Sequence, residues 1–366
     1  SVPAQAVWYD GRRIVDAKDE DLRKLAAVLG LKPDRMIAQM RKDSKRAFVY
    51  LDRQVDSDVA AKAKALKIPG LGFVTESKRY YPQGETMAHL VGFTSIEDKG
   101  QEGVELAFNA RLTGEDGERN VIRDRLGNVI EDIRELRPPV NGQDLVLSVD
   151  ADVQYIVLSE LKKAVELHKA KGAAAVVLDA KTGELLAMAN IPTYDPNSRG
   201  QLHGEKLRNR VFTDMFEPGS TLKPFGVALA MNQGKVKAST KIDTGNGRMS
   251  IGPATITDTK PHGVMTVEEI IQKSSNVGTS KIVLDLERKD LWDFFNLLGF
   301  GQTPSIAFPG SVAGRVRPWN KWRPIEQATM SYGHGISVSL IQLAQSYTIF
   351  ANKGQFVPAS LIKRGP

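Results

Sequence analysis

Phe216-Glu-Pro-Gly-Ser-Thr-Leu-Lys-Pro-Phe225 is the stretch on which the reading of this 366-residue chain turns. It sets a serine three residues before a lysine, and the small, apolar run Gly226 to Met231 behind it predicts a buried helix closing at Gly234. With Pro218 and Gly219 marking the helix start, Ser220 and Lys223 fall one turn apart on one face, within reach of each other. A serine hydroxyl is a useful nucleophile only when a base takes its proton. Lysine can be that base only when burial or nearby cations lower its pKa. A helix N-terminus favours both, because its free N–H groups suit a developing oxyanion and its positive end disfavours an ammonium. The plainer reading is a serine capping the helix and a lysine decorating its first turn.

Working outward, the length suits two or three domains, and 41% hydrophobic residues supply enough apolar surface for real cores. The absence of cysteine excludes thiolate catalysis, cysteine-ligated zinc and disulfides. There is no run of about eighteen apolar residues, so no membrane span is expected. The chain opens at Ser1 rather than Met, which leads to the expectation that an N-terminal segment has been removed. The net charge of +7 is spread along the chain and no nucleic-acid motif accompanies it. It reads as a solvated surface facing an anionic membrane or polymer.

Upstream of about residue 140 the texture is mixed and charged. Asp19 to Leu29, Pro33 to Met40 and Asp56 to Leu66 read as short amphipathic helices, the first stopped by Gly30, and Phe48 to Leu51 and Leu71 to Thr75 read as strands. Asp124 to Asn128 reads as a turn between two strand-like runs, and Arg137 to Gly142 as a breaker-rich connection, with a domain boundary near Pro138. His89 lies in an apolar setting without further ligands in register, which favours a core or interface histidine over a metal ligand. No nucleophile–base or metal spacing occurs here, so residues 1–140 are assigned to interaction.

Beyond the boundary, Leu145 to Val149 reads as a strand, Val153 to His168 as a helix, and Ala173 to Leu178 with Glu184 to Ala189 as a hairpin turning at Asp179-Ala-Lys-Thr-Gly183. Together they predict a helix laid on a sheet. Thr266-Val-Glu-Glu269 has the form of a capping box and predicts a helix from Val267 to Lys273 that delivers Ser274-Ser-Asn276 to its end. A further helix carries Val277 to Leu286. Trp292 to Leu298 is stopped by Gly299, and a last helix runs from Ser339 to Asn352-Lys-Gly354.

S-x-x-K followed by S-x-N is the order of motifs in serine β-lactamases and penicillin-binding proteins. Ser220-Thr-Leu-Lys223, Ser274-Ser-Asn276 and their flanks closely resemble the septal, FtsI-type class B penicillin-binding proteins, and the resemblance continues through Trp322 to Gly335. Upstream, Arg79 to Gly84 and Gly100 to Asn109 resemble the non-catalytic pedestal module of that family. The resemblance implies an α/β (α+β) fold: a mixed pedestal module at 1–140, then a penicillin-binding, β-lactamase-like transpeptidase domain at 141–366 with helices packed on an antiparallel sheet.

It also implies a peptidoglycan D,D-transpeptidase anchored in the bacterial inner membrane and working in the periplasm at the division septum, needing no cofactor or metal. Ser220 would attack the D-Ala-D-Ala carbonyl of a stem peptide, Lys223 would take its proton, and Ser274 would relay a proton to the leaving amine. Asn276 would hold the substrate amide and the lysine, with Ser275, Thr221, Tyr332 and Gly333 as substrate-binding neighbours. β-Lactams would acylate Ser220. An FtsW-type membrane glycosyltransferase and other division proteins are the implied partners, and no nucleic acid.

The family's third motif, K-T-G or K-S-G on a core strand, normally lies well beyond the helix that ends at Gly354. Lys181-Thr-Gly183 precedes the nucleophile and reads as a turn, and Lys363-Arg-Gly365 has the wrong middle residue. The chain is therefore expected to lack the C-terminal part of its transpeptidase domain and to turn over poorly by itself, since one oxyanion donor is worth about a hundredfold to a thousandfold in rate. Two alternatives stay open: a serine β-lactamase-like hydrolase, for which no E-x-x-x-N segment follows the S-x-N motif, and a penicillin-recognising sensor or non-catalytic division scaffold.

Overall fold

The computed structural model describes residues 1–123 and 129–364, and for residues 119, 123 and 129–135 the backbone alone. It divides into two units. The first comprises Ser1–Gly84, Val91–Asp144 and Asp195–Arg199, and the second Glu85–Leu90, Leu145–Tyr194 and Gly200–Pro366.

In the first unit the strand Val2–Tyr9 runs antiparallel between Val49–Asp56 and Leu71–Lys78. Sequence patterning found parts of the two outer strands and missed the central one, whose small alanines and Pro3 carry a weak β signal. The helices Asp19–Leu29 and Pro33–Lys42 cover the sheet, burying Leu22, Leu25, Met36 and Met40 with Tyr9 and Ile14. Gly30 ends the first as predicted, at φ 69, its N–H bonded to the carbonyls of Ala26 and Ala27. The third predicted helix forms over Ser57–Ala65. Arg79 and the buried Glu105 form an ion pair that ties together the two segments singled out upstream. Glu118–Arg123 pairs with Val129–Arg137, and the turn expected at 124–128 lies outside the described residues.

In the second unit the helix Ala151–His168, capped by the Asp150 carboxylate, packs on the antiparallel hairpin Ala173–Leu178 and Leu185–Ile191. Buried Gln154 docks it, accepting from the Met188 N–H at 2.7 Å and donating to the Met188 carbonyl at 2.7 Å. Asp179 accepts from the N–H groups of Lys181 and Thr182 at 2.8 Å and Gly183 sits at φ 74, so Lys181-Thr-Gly183 is the hairpin turn. Leu145 to Val149 differs from expectation: it makes a single bridge, Leu147 to Ile362, instead of a strand, and Ser148 divides its hydrogen bonds between the Leu185 carbonyl and those of Ser360 and Leu361. His89 is a buried core histidine, its Nε2 2.7 Å from the Lys206 carbonyl, and burial pushes its pKa down to about 4. The chain's final helix breaks at Tyr347 into Leu340–Ser346 and Thr348–Ala351.

The predicted nucleophile helix forms over Lys223–Asn232. Phe225, Val227 and Ala230 join Ile270, Ile282, Val283, Phe295, Phe300, Trp322 and Met330 in one core. Burial of each large side chain contributes about 1.5–3 kcal/mol. Gly226 lets this helix approach Asn276–Leu284 closely, since a Cβ there would lie 2.7 Å from Val283 Cγ2. The two helices that carry the first and second motifs are thus locked side by side.

Candidate active site

Ser220 lies on a 3₁₀ turn, Gly219–Leu222, that runs directly into the Lys223–Asn232 helix. The turn leaves Ser220 exposed while Lys223 is 2% exposed. The predicted helix start therefore holds with one refinement: the serine stands on a tighter turn than an α-helix, still three residues from the lysine. Lys223 Nζ donates to Ser220 Oγ at 2.9 Å.

The second motif arrives from the other side. The Thr266 capping box forms as predicted, with Thr266 Oγ1 accepting from the Glu269 N–H and Glu269 accepting from the Thr266 N–H, and it starts the helix Val267–Lys273. Ser274 closes that helix in the left-handed region, at φ 56 and ψ 48. This costly conformation turns both its carbonyl and its hydroxyl towards the lysine. Lys223 Nζ donates to Ser274 O at 2.6 Å and to Ser274 Oγ at 2.8 Å.

These three acceptors saturate an ammonium, and they also dictate what a neutral amine does. The carbonyl can only accept, so it holds one N–H. One N–H and one lone pair remain for two hydroxyls, Ser220 and Ser274, and a proton leaving one can be replaced at the other. Burial pushes the Lys223 pKa down to about 8, against an opposing pull from the Asp258 carboxylate. At pH 7 about a tenth of the lysine is then free base, against about one part in three thousand for an ordinary lysine.

Asn276 is brought to the site but does not hold the lysine. It opens the helix Asn276–Leu284 and donates to the Thr257 carbonyl at 3.0 Å, while Ser220 and Ser274 take the lysine's hydrogen bonds. Ser275, expected beside the substrate, lies in the scaffold of the second motif. It is 1% exposed, and its Oγ donates to Asp258 at 2.6 Å while accepting from the Gly278 N–H at 2.8 Å, so it is spent as the helix N-cap.

Thr221 Oγ1 is turned back onto the Pro218 carbonyl at 2.7 Å. Tyr332 is buried against Ile256, Val277 and Ala328, and burial raises its pKa. Gly333, at φ 84, faces the backbone of Gly219, where any Cβ would overlap it. Its carbonyl accepts from the Gly219 N–H at 3.2 Å.

Residues the motifs did not mark complete the support. Phe216 and Val338 exchange N–H···O bonds of 3.0 Å, and Glu217 accepts from the Gly335 N–H at 2.8 Å. These hydrogen bonds, with the Gly333–Gly219 contact, staple the Gly333–Val338 segment along the approach to Ser220. Asp258 also holds the Val277 N–H at 3.0 Å. An acid placed directly after an alternating Thr-Ile-Thr run carries no motif signal of its own.

The penicillin binding protein transpeptidase domain matches residues 173–365, and the Penicillin-binding Protein dimerisation domain matches residues 1–147. The chain is 40% identical to the peptidoglycan D,D-transpeptidase FtsI of Escherichia coli K12 over 370 aligned residues, covering 100% of this chain and 62% of that protein. It is 46% identical to the probable peptidoglycan D,D-transpeptidase PenA of Neisseria meningitidis serogroup A, covering 87% of this chain and 55% of that protein. The chain thus spans between half and two thirds of these relatives. A crystal structure of a peptidoglycan synthetase from Bifidobacterium adolescentis superposes with a TM-score of 0.73 at 24% identity, over 99% of this chain and 71% of that one, a likeness of fold.

Proposed function

The chain belongs to the penicillin-binding protein family, with a dimerisation domain followed by a transpeptidase domain, and on that premise we propose that it cross-links peptidoglycan stem peptides through a serine acyl-enzyme. The observation that carries this reading is the pairing of an exposed serine with a buried lysine of lowered pKa, shared with a second hydroxyl.

The neutral Lys223 amine takes the Ser220 proton as Oγ bonds to the carbonyl carbon of the penultimate D-Ala. The carbon–nitrogen bond to the terminal D-Ala then breaks, and Ser274 passes a proton from the Lys223 ammonium to the departing nitrogen. An amino group of a neighbouring stem attacks the ester by the reverse sequence, returning the Ser220 proton and leaving the cross-link. Asn276, beside Ser274, orients the substrate amide. A β-lactam, whose strained amide presents the same carbonyl, forms a stable ester with Ser220.

The division we propose is interaction by residues 1–140 and catalysis by 141–366, on the periplasmic side of the inner membrane at the septum, beside a membrane glycosyltransferase. No helix among the described residues is long and apolar enough to cross a membrane. Incubating the full-length protein with a fluorescent penicillin tests the assignment. One label per chain, abolished in Ser220→Ala, is expected; labelling that survives the substitution would overturn it.

A further inference from the structure

The Ser274–Asn276 turn is held by a single carboxylate. Asp258 follows the strand Ala254–Thr257, and its two oxygens are committed to opposite sides of the second motif. Oδ2 accepts from Ser275 Oγ at 2.6 Å, and Oδ1 accepts from the Val277 N–H at 3.0 Å. The preceding residue, Thr257, takes the Asn276 amide on its carbonyl at 3.0 Å. The end of this strand therefore clamps three consecutive residues, Ser275, Asn276 and Val277, and an anion sits at the N-terminus of their helix, where the backbone N–H groups favour it.

We propose that Asp258 is a positioning residue for the acyl-transfer site, which fixes Ser274 against Lys223 through the turn and places a negative charge behind the lysine. The inference rests on the functional reading above and adds a residue outside the three family motifs. The clamp acts on Lys223 through two routes. Mechanically, Ser275 is the peptide neighbour of Ser274, so the left-handed geometry that presents the Ser274 carbonyl and hydroxyl depends on where Ser275 is anchored. Electrostatically, the carboxylate favours the ammonium and opposes the burial that favours the free amine.

Other charged groups on the surrounding elements are engaged elsewhere. Lys281 donates to the Asp243 carbonyl, Asp290 accepts from Gln233, and Glu326 is held by Arg317 and Arg323. Glu217 is held by Gly335 and His334, and exposed Lys273 acts on Glu269. Asp258 is thus the group that sustains the lysine's basicity against burial, keeping enough proton on it to supply the leaving amine.

The test uses Asp258→Asn, which retains the hydrogen-bonding shape and removes the charge, with Asp258→Glu and Ser275→Ala as companions. In the full-length protein, Lys223 is titrated by NMR of 13Cε-labelled lysine without substrate, and the pH dependence of Ser220 acylation by a penicillin is measured in parallel. Asp258→Asn should move both midpoints down by about half a pH unit or more, roughly a threefold change in protonation equilibrium. Asp258→Glu should restore the midpoints. Ser275→Ala, which keeps the charge and loosens the turn, should lower the plateau rate without moving the midpoint. An Asp258→Asn midpoint equal to wild type would overturn the electrostatic role, and a Ser275→Ala plateau equal to wild type would overturn the positioning role. If Asp258→Asn does not fold, a Ser275→Ala midpoint that moves would overturn the separation of the two roles. Absence of Ser220 acylation in the wild type at every pH would refute the functional reading instead, and the substrate-free titration would still decide this one.

Discussion

Replacing Lys223 by methionine isolates what burying this lysine costs. The side chain is 2% exposed, and burial holds its pKa at about 8 against an ordinary 10.5. That gap corresponds to roughly 3 kcal/mol. The folded value is the lower one, so between the two values the unfolded chain binds more protons and stability rises with pH. Below about 8 the folded lysine is protonated and the full penalty is present; above about 10.5 it is gone. Lys223→Met has no such titration. The stability of wild type relative to Lys223→Met, from urea denaturation at a series of pH values, should therefore climb by roughly 3 kcal/mol from pH 7.5 to pH 11, over a constant offset from the lost bonds to Ser274. All other titrating groups cancel in the comparison. Parallel stability curves across that window would refute the claim that Lys223 is buried at a thermodynamic cost.

Three further outcomes follow from the packing. Gly333→Ala sets a methyl group into the Gly219 backbone at a positive φ; it should cost about 1–3 kcal/mol in denaturation and slow Ser220 acylation at least tenfold. Phe225→Ala empties a fully buried ring site behind Lys223 and should destabilise by about 3–5 kcal/mol, with an unchanged transition midpoint contradicting the core assignment. Thr266→Ala removes the reciprocal cap before the second motif and should cost about 1 kcal/mol, read as a shift in the urea midpoint.

The parts legible in sequence were those whose physics is local. The Asp19–Leu29 helix with its Gly30 stop, the Thr266 capping box and the Asp179–Gly183 turn are each set by residues within a few positions, and each formed where the pattern put it. Ser220 and Lys223 were close for the same reason, and the S-x-N spacing brought Ser274 to them. What stayed hidden is non-local. The Val2–Tyr9 strand is stabilised by pairing with segments far along the chain, and its own residues say little. Ser275 looked like a site residue because it sits inside a motif. Only Asp258, which approaches from the strand before it, shows that its hydroxyl is already used. Gly333 likewise proved to be the seat of Gly219, a role visible only when two distant backbones touch.

The central claim is that the free amine of Lys223 activates Ser220. The most direct measurement is the second-order rate of Ser220 acylation by a penicillin in the full-length protein between pH 5 and 10, with the adduct mapped by mass spectrometry. An ester on Ser220 is expected, formed at a rate that falls about tenfold per pH unit below about 8, where the lysine becomes an ammonium. A rate independent of pH across that range, or an ester on another residue, would contradict it.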